Sequence, residues 1–145
     1  MQITSTAQLK KVILDRAKQA IESSQEEVYT IMENVLKQFY AEYTPIMYER
    51  TYQLLKSCVK GEIKKDSNSI TTTVYFDSGL LNYTSGSSPT GKQVMDAASL
   101  GMHGAYGLHM VDGNTEIYPD SVDTIKRYIF PILKSELIKA GIPVK

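Results

Sequence analysis

The residues with the most obvious chemical potential are two histidines and two carboxylates in one glycine-rich run. His103 and His109 are separated by a spacing of six, and Asp112 and Glu116 follow closely. Imidazole and carboxylate groups can bind a metal ion or exchange protons. A spacing of six, however, matches neither the i, i+4 pair of a helical metal site nor a known zinc motif, and the glycines between indicate turns. We therefore expect packing histidines and assign no catalytic, metal or cofactor-binding residue.

A second candidate is the segment 85–92, which ends in Gly91-Lys92 and is faintly similar to a phosphate-binding loop. It has no Ser or Thr after Lys92, and Pro89 removes one of the backbone N–H groups that such a loop needs. The segment is better explained as a loop that leads into a short helix. Thr90, or Ser88 with Pro89 as the first helical residue, could begin that helix, and Gly101 ends it.

The composition argues against several classes of protein. Lys plus Arg and Asp plus Glu both number 16, whereas a free nucleic-acid binder normally carries an excess of basic residues. Cys58 is the single cysteine, so neither an internal disulfide nor a cysteine metal cluster can form. No signal peptide is recognisable, and no apolar stretch approaches the roughly 20 residues that span a bilayer. We expect a soluble protein of a reducing cytoplasm, with no membrane contact and no free nucleic-acid binding.

The N-terminal region 5–43 carries the strongest helical pattern. Ser5 and Gln8 form a capping box, and apolar residues then recur at steps of three and four as far as Tyr43. Ser24 and Glu27 could form a second capping box and split the region into a helix pair, but the unbroken phase favours one long helix. Such a helix would extend roughly 55 Å, more than the width of a small globule. Part of its apolar stripe would then need cover, and partner chains are the natural source.

The segment 44–57 is expected to dock onto another surface. Pro45 ends the preceding helix, and aromatic, cationic and hydroxyl side chains follow on a stretch too short for a core of its own. Ten tyrosines and no tryptophan in the chain suit either subunit interfaces or the border of a small core. We predict a subunit-interface role for four residues of this segment: Tyr48, Arg50, Thr51 and Tyr52.

The remaining regions predict the rest of an α+β fold. Alternation over 58–64 and 70–76, with turn residues between, indicates a β-hairpin with one buried face in the region 58–83. The region 84–119 is read as a loop with a short helix. A C-terminal helix over 120–141 would open at Asp120 and Asp123, with a kink or a fresh start at Pro131. The prediction is a single domain, 1–145: a long N-terminal helix, a small antiparallel sheet around the hairpin, and a C-terminal helix packed on the sheet.

Three local patterns, in their order along the chain, resemble the neck and tail-completion proteins of tailed bacteriophages, many of which are labelled minor tail components. The first is Tyr43-Thr44-Pro45 followed by Tyr48, Arg50-Thr51, Leu54 and Ser57. The second is a small-residue helix through Ala97-Ala98 that ends in Gly101-Met102-His103-Gly104. The third is Phe130-Pro131-Ile132-Leu133 in the final helix. The resemblance spans most of residues 5–140.

The resemblance implies a structural virion protein of a tailed phage or prophage: a ring-forming head–tail joining, neck or tail-completion subunit. Its partners would be its own copies, with six as the expected ring number, and neighbouring connector or tail proteins. It would be assembled in the bacterial host cytoplasm and would end up in the virion. The family implies no catalytic residues. Two alternatives stay open: an enzyme that uses His103, His109 and Asp112, and a non-catalytic binding module that acts through its long amphipathic helix.

Overall fold

The computed structural model describes residues 4–45, 52–82, 89–105 and 109–144. Helices and antiparallel strands alternate along the chain, which confirms the α+β class. The helices are α1 (Thr6–Ala41), α2 (Gly91–Ser99) and α3 (Ile117–Lys139), and the strands are β1 (Cys58–Lys60), β2 (Lys64–Lys65), β3 (Ile70–Thr71), β4 (Val74–Phe76), β5 (Met102–Ala105) and β6 (His109–Asp112). Short 3₁₀ turns lie at Leu54–Lys56 and Ser78–Leu80.

The N-terminal region forms one continuous helix, not a helix pair. The Ser5 hydroxyl accepts a hydrogen bond of 3.2 Å from the backbone N–H of Gln8, and this cap begins α1. At the suspected break, the Ser24 hydroxyl is buried and donates to the carbonyl oxygen of Ala20 one turn earlier, at 2.8 Å. Because the hydroxyl is satisfied inside the helix, Ser24 does not need to act as a second cap.

The hydrophobic core lies against the second half of α1. The buried residues of this helix fall between Ala20 and Phe39, whereas Leu9 and Ile13 near its start remain 44% and 46% exposed. Helix α3 packs lengthwise along α1 and touches the β1–β4 sheet where Tyr118 meets Phe76 edge-on, with ring centroids 5.1 Å apart. The buried apolar cluster consists of Met32, Val35, Leu36, Phe39, Leu54, Cys58, Phe76, Leu81, Met95, Ala98 and Ile117.

The predicted hairpin is present, with a bulge that α1 holds in place. Lys60 pairs with Val74 in the outer ladder and Lys64 pairs with Thr71 in the inner one, so three residues on the first strand face two on the second. The Gln25 side-chain nitrogen lies 2.8 Å from the carbonyl oxygen of Gly61, and it also reaches the oxygens of residues 72 and 73. One amide of α1 therefore contacts both strands at the bulge, where the Thr73 carbonyl oxygen also accepts from the backbone N–H of Gly61 at 2.8 Å.

Two boundaries differ from the sequence prediction. The region 84–119 contains a second hairpin, β5–β6, which was read as loop because Gly104 interrupts the apolar pattern that marks the first hairpin. Helix α3 begins at Ile117 and not at Asp120: the Asp120 carboxylate accepts from the backbone N–H of Glu116 at 2.9 Å, so it lies inside the first turn. The helix also continues through Pro131 without a fresh start, since it packs against α1 along its length.

Candidate functional site

Glu42, immediately after α1, anchors the end of that helix to the loop that leads into α3. Its Oε2 accepts hydrogen bonds from the backbone N–H groups of Asn114, at 2.8 Å, and Thr115, at 3.0 Å. Its Oε1 accepts from the Thr115 hydroxyl. Hydrogen bonds to an ionised group are stronger than neutral ones. A single carboxylate therefore ties together two parts of the chain that are far apart in sequence.

His103, on β5, forms the second side of this arrangement. Its ring stacks on Phe39 with centroids 4.0 Å apart and planes inclined by 21°, and it also lies nearly parallel to Tyr43 at 5.7 Å. The His103 Nε2 atom is 3.5 Å from Glu42 Oε2. The side chain is almost completely buried. The end of α1, the β5 strand and the entry to α3 therefore meet at one polar cluster, here called the Glu42 centre (Glu42, His103, Gly113, Asn114 and Thr115).

The glycines of this run are explained by close approach. A Cβ atom at position 113 would lie 2.2 Å from His103 Nε2 and 2.8 Å from Glu42 Oε2, which leaves no room for a side chain. The Gly113 N–H donates to the carbonyl oxygen of Gly101 at 2.7 Å, and Gly101 has a positive φ of 69°. These contacts match the expectation that the glycines serve turns and backbone contacts.

The electrostatics of the centre favour the ionised form of the Glu42 carboxylate. Burial raises the pKa of Glu42, but the hydrogen bonds from the Thr115 side chain, from the backbone of Asn114 and Thr115, and from His103 outweigh burial and leave the pKa below its ordinary value. A carboxylate with a lowered pKa and several donors is a weak base at neutral pH. The arrangement is therefore suited to holding the chain in position.

The carboxylates of the predicted chemical run lie outside this centre. In the backbone ladder of β5–β6 His103 pairs with Val111, whereas His109 pairs with Ala105 at the other end of the hairpin. Asp112 and Glu116 are exposed. Among the described residues, no three His, Cys, Asp or Glu side chains are placed so that they could hold a metal ion. The thiol of Cys58 is buried, and burial together with the charge of Glu33 raises its pKa to about 11, so it is protonated at neutral pH.

The described part of the suspected phosphate loop begins a helix. Thr90 and Gln93 form the capping box of α2, with the Thr90 hydroxyl accepting from the Gln93 N–H at 3.2 Å. The Lys92 ammonium pairs with Asp96 at 2.7 Å along the helix surface. A Cβ at Gly91 would lie 2.2 Å from the carbonyl oxygen of Ser78, so this glycine permits α2 to approach the preceding turn.

Of the four residues predicted at a subunit interface, Tyr48, Arg50 and Thr51 lie outside the described residues. Tyr52 is described: its φ of 56° is in the left-handed region, which a bulky residue adopts only at a cost of about 1–3 kcal/mol. Its ring is 48% exposed and stacks on Tyr40, with centroids 5.6 Å apart. The interface role of all four residues stays a prediction.

Sequence reasoning missed Glu42 and Thr115 as functional positions. One local signal was available: an acidic residue at the C-terminal end of a helix is unfavourable for the helix dipole, so Glu42 needed another reason to be there. The identity of its partners could not be read from the sequence, because Asn114 and Thr115 are 72 and 73 positions away.

The comparison with protein families is decisive for the origin of the chain. A model of the YomN family matches residues 5–140. The chain belongs to the YomN family. This family name is associated with bacteriophages and Bacillus prophages, so the chain is a phage-associated protein. The YomN match runs from the start of α1 to the end of α3 and includes the whole Glu42 centre.

Comparisons with curated proteins and with solved structures found no further relative. No curated protein matches the chain, and no solved structure matches it. Within the part of the YomN chain that the structure describes, no helix is both long enough and apolar enough to cross a bilayer.

Proposed function

We propose that this YomN protein is a structural subunit of a phage or prophage particle, which forms a ring at the junction of head and tail as a head–tail joining, neck or tail-completion component. The observation that carries the proposal is the apolar surface left open at the start of α1. Leu9 and Ile13 lie about one helical turn apart, and each is nearly half exposed. Apolar residues that adjoin one another on an exposed helix face are typical of a contact with other proteins, whereas singly exposed ones are not.

The Glu42 centre supports this proposal through rigidity. A ring subunit presents two different surfaces at a fixed angle, because each copy must contact one neighbour on each side and the ring must close. Glu42 fixes the end of α1 against the entry to α3, so surfaces on the two helices move as one unit. A net charge of zero also weakens the repulsion between copies.

The start of α1 is a suitable contact surface for a neighbouring copy. The β2–β3 hairpin is fastened beside it: Lys65 pairs with Asp15 at 2.5 Å, and the Lys10 ammonium donates to the Asn68 side chain at 2.6 Å. These polar contacts orient the first turns of the helix and leave Leu9 and Ile13 exposed. Substitution of both residues should therefore affect assembly more than folding.

A binding module that acts through the long helix is the second candidate. It is favoured by the same Leu9–Ile13 pair, since apolar residues four positions apart are the usual anchors of a helix that lies in the groove of another protein. In that case a foreign chain, and not a second YomN subunit, would cover the start of α1.

Light scattering on a size-exclusion column, with negative-stain images of the leading peak, separates these proposals. We expect the wild type to form closed rings at high concentration or after addition of the connector protein of its phage. We expect Leu9→Ser with Ile13→Ser to lose the rings, and the matched control Leu80→Ser, at an exposed apolar residue on a 3₁₀ turn, to retain them. A compact monomer that also fails to bind neck and tail proteins would contradict the proposal.

A further inference from the structure

Helix α3 carries an exposed stripe on the side away from its buried residues. Ile117 and Ser121 are buried on one side of the helix. On the other side, six positions at steps of three or four lie within an arc of about 100°. All six are exposed, and they are Pro119, Asp123, Arg127, Phe130, Lys134 and Ile138. Phe130 is the most exposed of the large apolar side chains that the structure describes.

The charged side chains of this stripe have no ion-pair partner among the described residues. The side chains of Asp123, Arg127 and Lys134 form no ion pair or hydrogen bond with any residue in the described ranges. Elsewhere on α3, by contrast, Lys139 pairs with Glu136 at 2.6 Å. The stripe therefore combines a highly exposed aromatic ring with three charges that remain available to a partner.

If two copies of the stripe are placed side by side in opposite directions, residues of matching chemistry face one another. From the N-terminal end the six side chains are apolar, anionic, cationic, aromatic, cationic and apolar. We propose that α3 packs antiparallel against α3 of a second copy, around a two-fold axis midway between Tyr128 and Ile129. In this arrangement Asp123 faces Lys134 of the partner subunit. Arg127 faces Phe130 of the partner subunit, and Pro119 faces Ile138 of the partner subunit.

Each facing pair has a favourable chemistry, and the two-fold axis repeats it. Asp123 and Lys134 form two ion pairs across the axis, and the Arg127 guanidinium lies over the partner's Phe130 ring as a cation–π pair. Pro119 and Ile138 close the two ends with apolar contacts. The stripe extends about 28 Å along the helix. Antiparallel packing also places the positive end of each helix dipole beside the negative end of the other.

This contact is separate from the ring proposed above. A two-fold contact uses the same patch on both copies and closes after two of them, so it cannot build a ring by itself. It would belong to the free protein or to two rings placed back to back. The start of α1 is not part of it.

Charge reversal tests the contact directly. Sedimentation velocity over a range of concentrations should give a dimer for the wild type. Asp123→Lys alone and Lys134→Asp alone each place like charges opposite one another twice, so each should raise the dimer dissociation constant at least about tenfold. An equimolar mixture of the two variants should dimerise again to near the wild-type level, because both facing pairs then carry opposite charges. The double variant should also recover.

Phe130→Ala should weaken the dimer to a similar extent, and the matched control Leu100→Ala, at a residue 68% exposed outside α3, should not. Circular dichroism melts should show unchanged folding, since every substituted side chain is exposed. A wild type that stays monomeric, a mixture that fails to dimerise, or single variants as dimeric as the wild type would overturn the proposal. So would an acidic foreign helix as the stripe's only partner. Rings that form in these variants would leave the proposed function intact even if the dimer is lost. A wild-type dimer without rings would support the α3 contact and count against the ring.

Discussion

One apolar pattern runs along α1, but its residues are buried towards the C-terminal end of the helix and exposed at the N-terminal end. From Ala20 to Phe39 the helix supplies more of the buried apolar core than any other element that the structure describes, and Glu42 then fastens its end to the loop before α3. At the other end, Leu9 and Ile13 are about half exposed. The contacts there are polar and exposed, such as the Arg16 guanidinium donating to the carbonyl oxygen of Gly141 at 3.0 Å.

The difference shows that hydrophobic periodicity alone does not distinguish apolar residues that are buried in the core from those that stay exposed. Burial of apolar area supplies most of the free energy of folding, whereas exposed ion pairs contribute little. The stability of this protein should therefore be concentrated in the second half of α1 and at the Glu42 centre. The first turns of α1 and the outer stripe of α3 are exposed, and they are the surfaces that we propose for contacts with other chains.

The largest expected effect comes from removing a core side chain at the buried end. Leu36 is fully buried, so Leu36→Ala should lower the free energy of unfolding by about 2–5 kcal/mol through lost contacts and a cavity. The same change at the exposed end, Leu9→Ala, should cost less than about 1 kcal/mol. Urea denaturation of both variants measures the contrast. Equal losses would mean that the first turns of α1 belong to the folding core.

A smaller effect is expected at the Glu42 centre. Glu42→Gln keeps the shape of the side chain but removes the charge that strengthens its hydrogen bonds, so the free energy of unfolding should fall by about 1–3 kcal/mol. Glu62→Gln, at an exposed residue of the first hairpin, is the matched control and should change stability by less than about 0.5 kcal/mol. If the two variants melt alike, Glu42 does not anchor α3.

The smallest effect is a pH dependence that belongs to Glu42. Because folding lowers the pKa of Glu42 below its ordinary value of 4.5, the ionised carboxylate stabilises the protein above that pH. This contribution is lost as the pH falls through the folded-state pKa. The gap in urea midpoint between the wild type and Glu42→Gln should thus be full at pH 7 and shrink as the pH falls below about 4. A gap that stays constant or widens on acidification would contradict the assignment.

Local signals in the sequence predicted several elements correctly. The Ser5–Gln8 cap, the Thr90 start of α2 and the alternation over 70–76 each depend on residues close together in the chain. The unbroken apolar phase through Ser24 also predicted a single helix. These features depend on backbone geometry and periodicity, which neighbouring residues determine.

The features that were missed depend on distant residues. The β5–β6 hairpin has a glycine within its first strand, Gly104, with a positive φ of 109°, so the alternation of the first hairpin is absent and only pairing across the hairpin reveals the strands. Asp120 has the side chain of a helix cap but acts from within the first turn of α3. The Glu42 centre joins three segments that have no sequence motif in common. The geometry of the Glu42 centre therefore could not be predicted from the sequence without the folded structure.

Electron microscopy of particles made by the phage or prophage with this gene disrupted tests the proposed role at the head–tail junction. We expect full heads separated from tails, with joined particles restored by the wild-type gene. The gene that carries Leu9→Ser with Ile13→Ser should fail to restore them, although its product folds. Intact, joined particles in the complete absence of the protein would contradict its assignment to the head–tail junction.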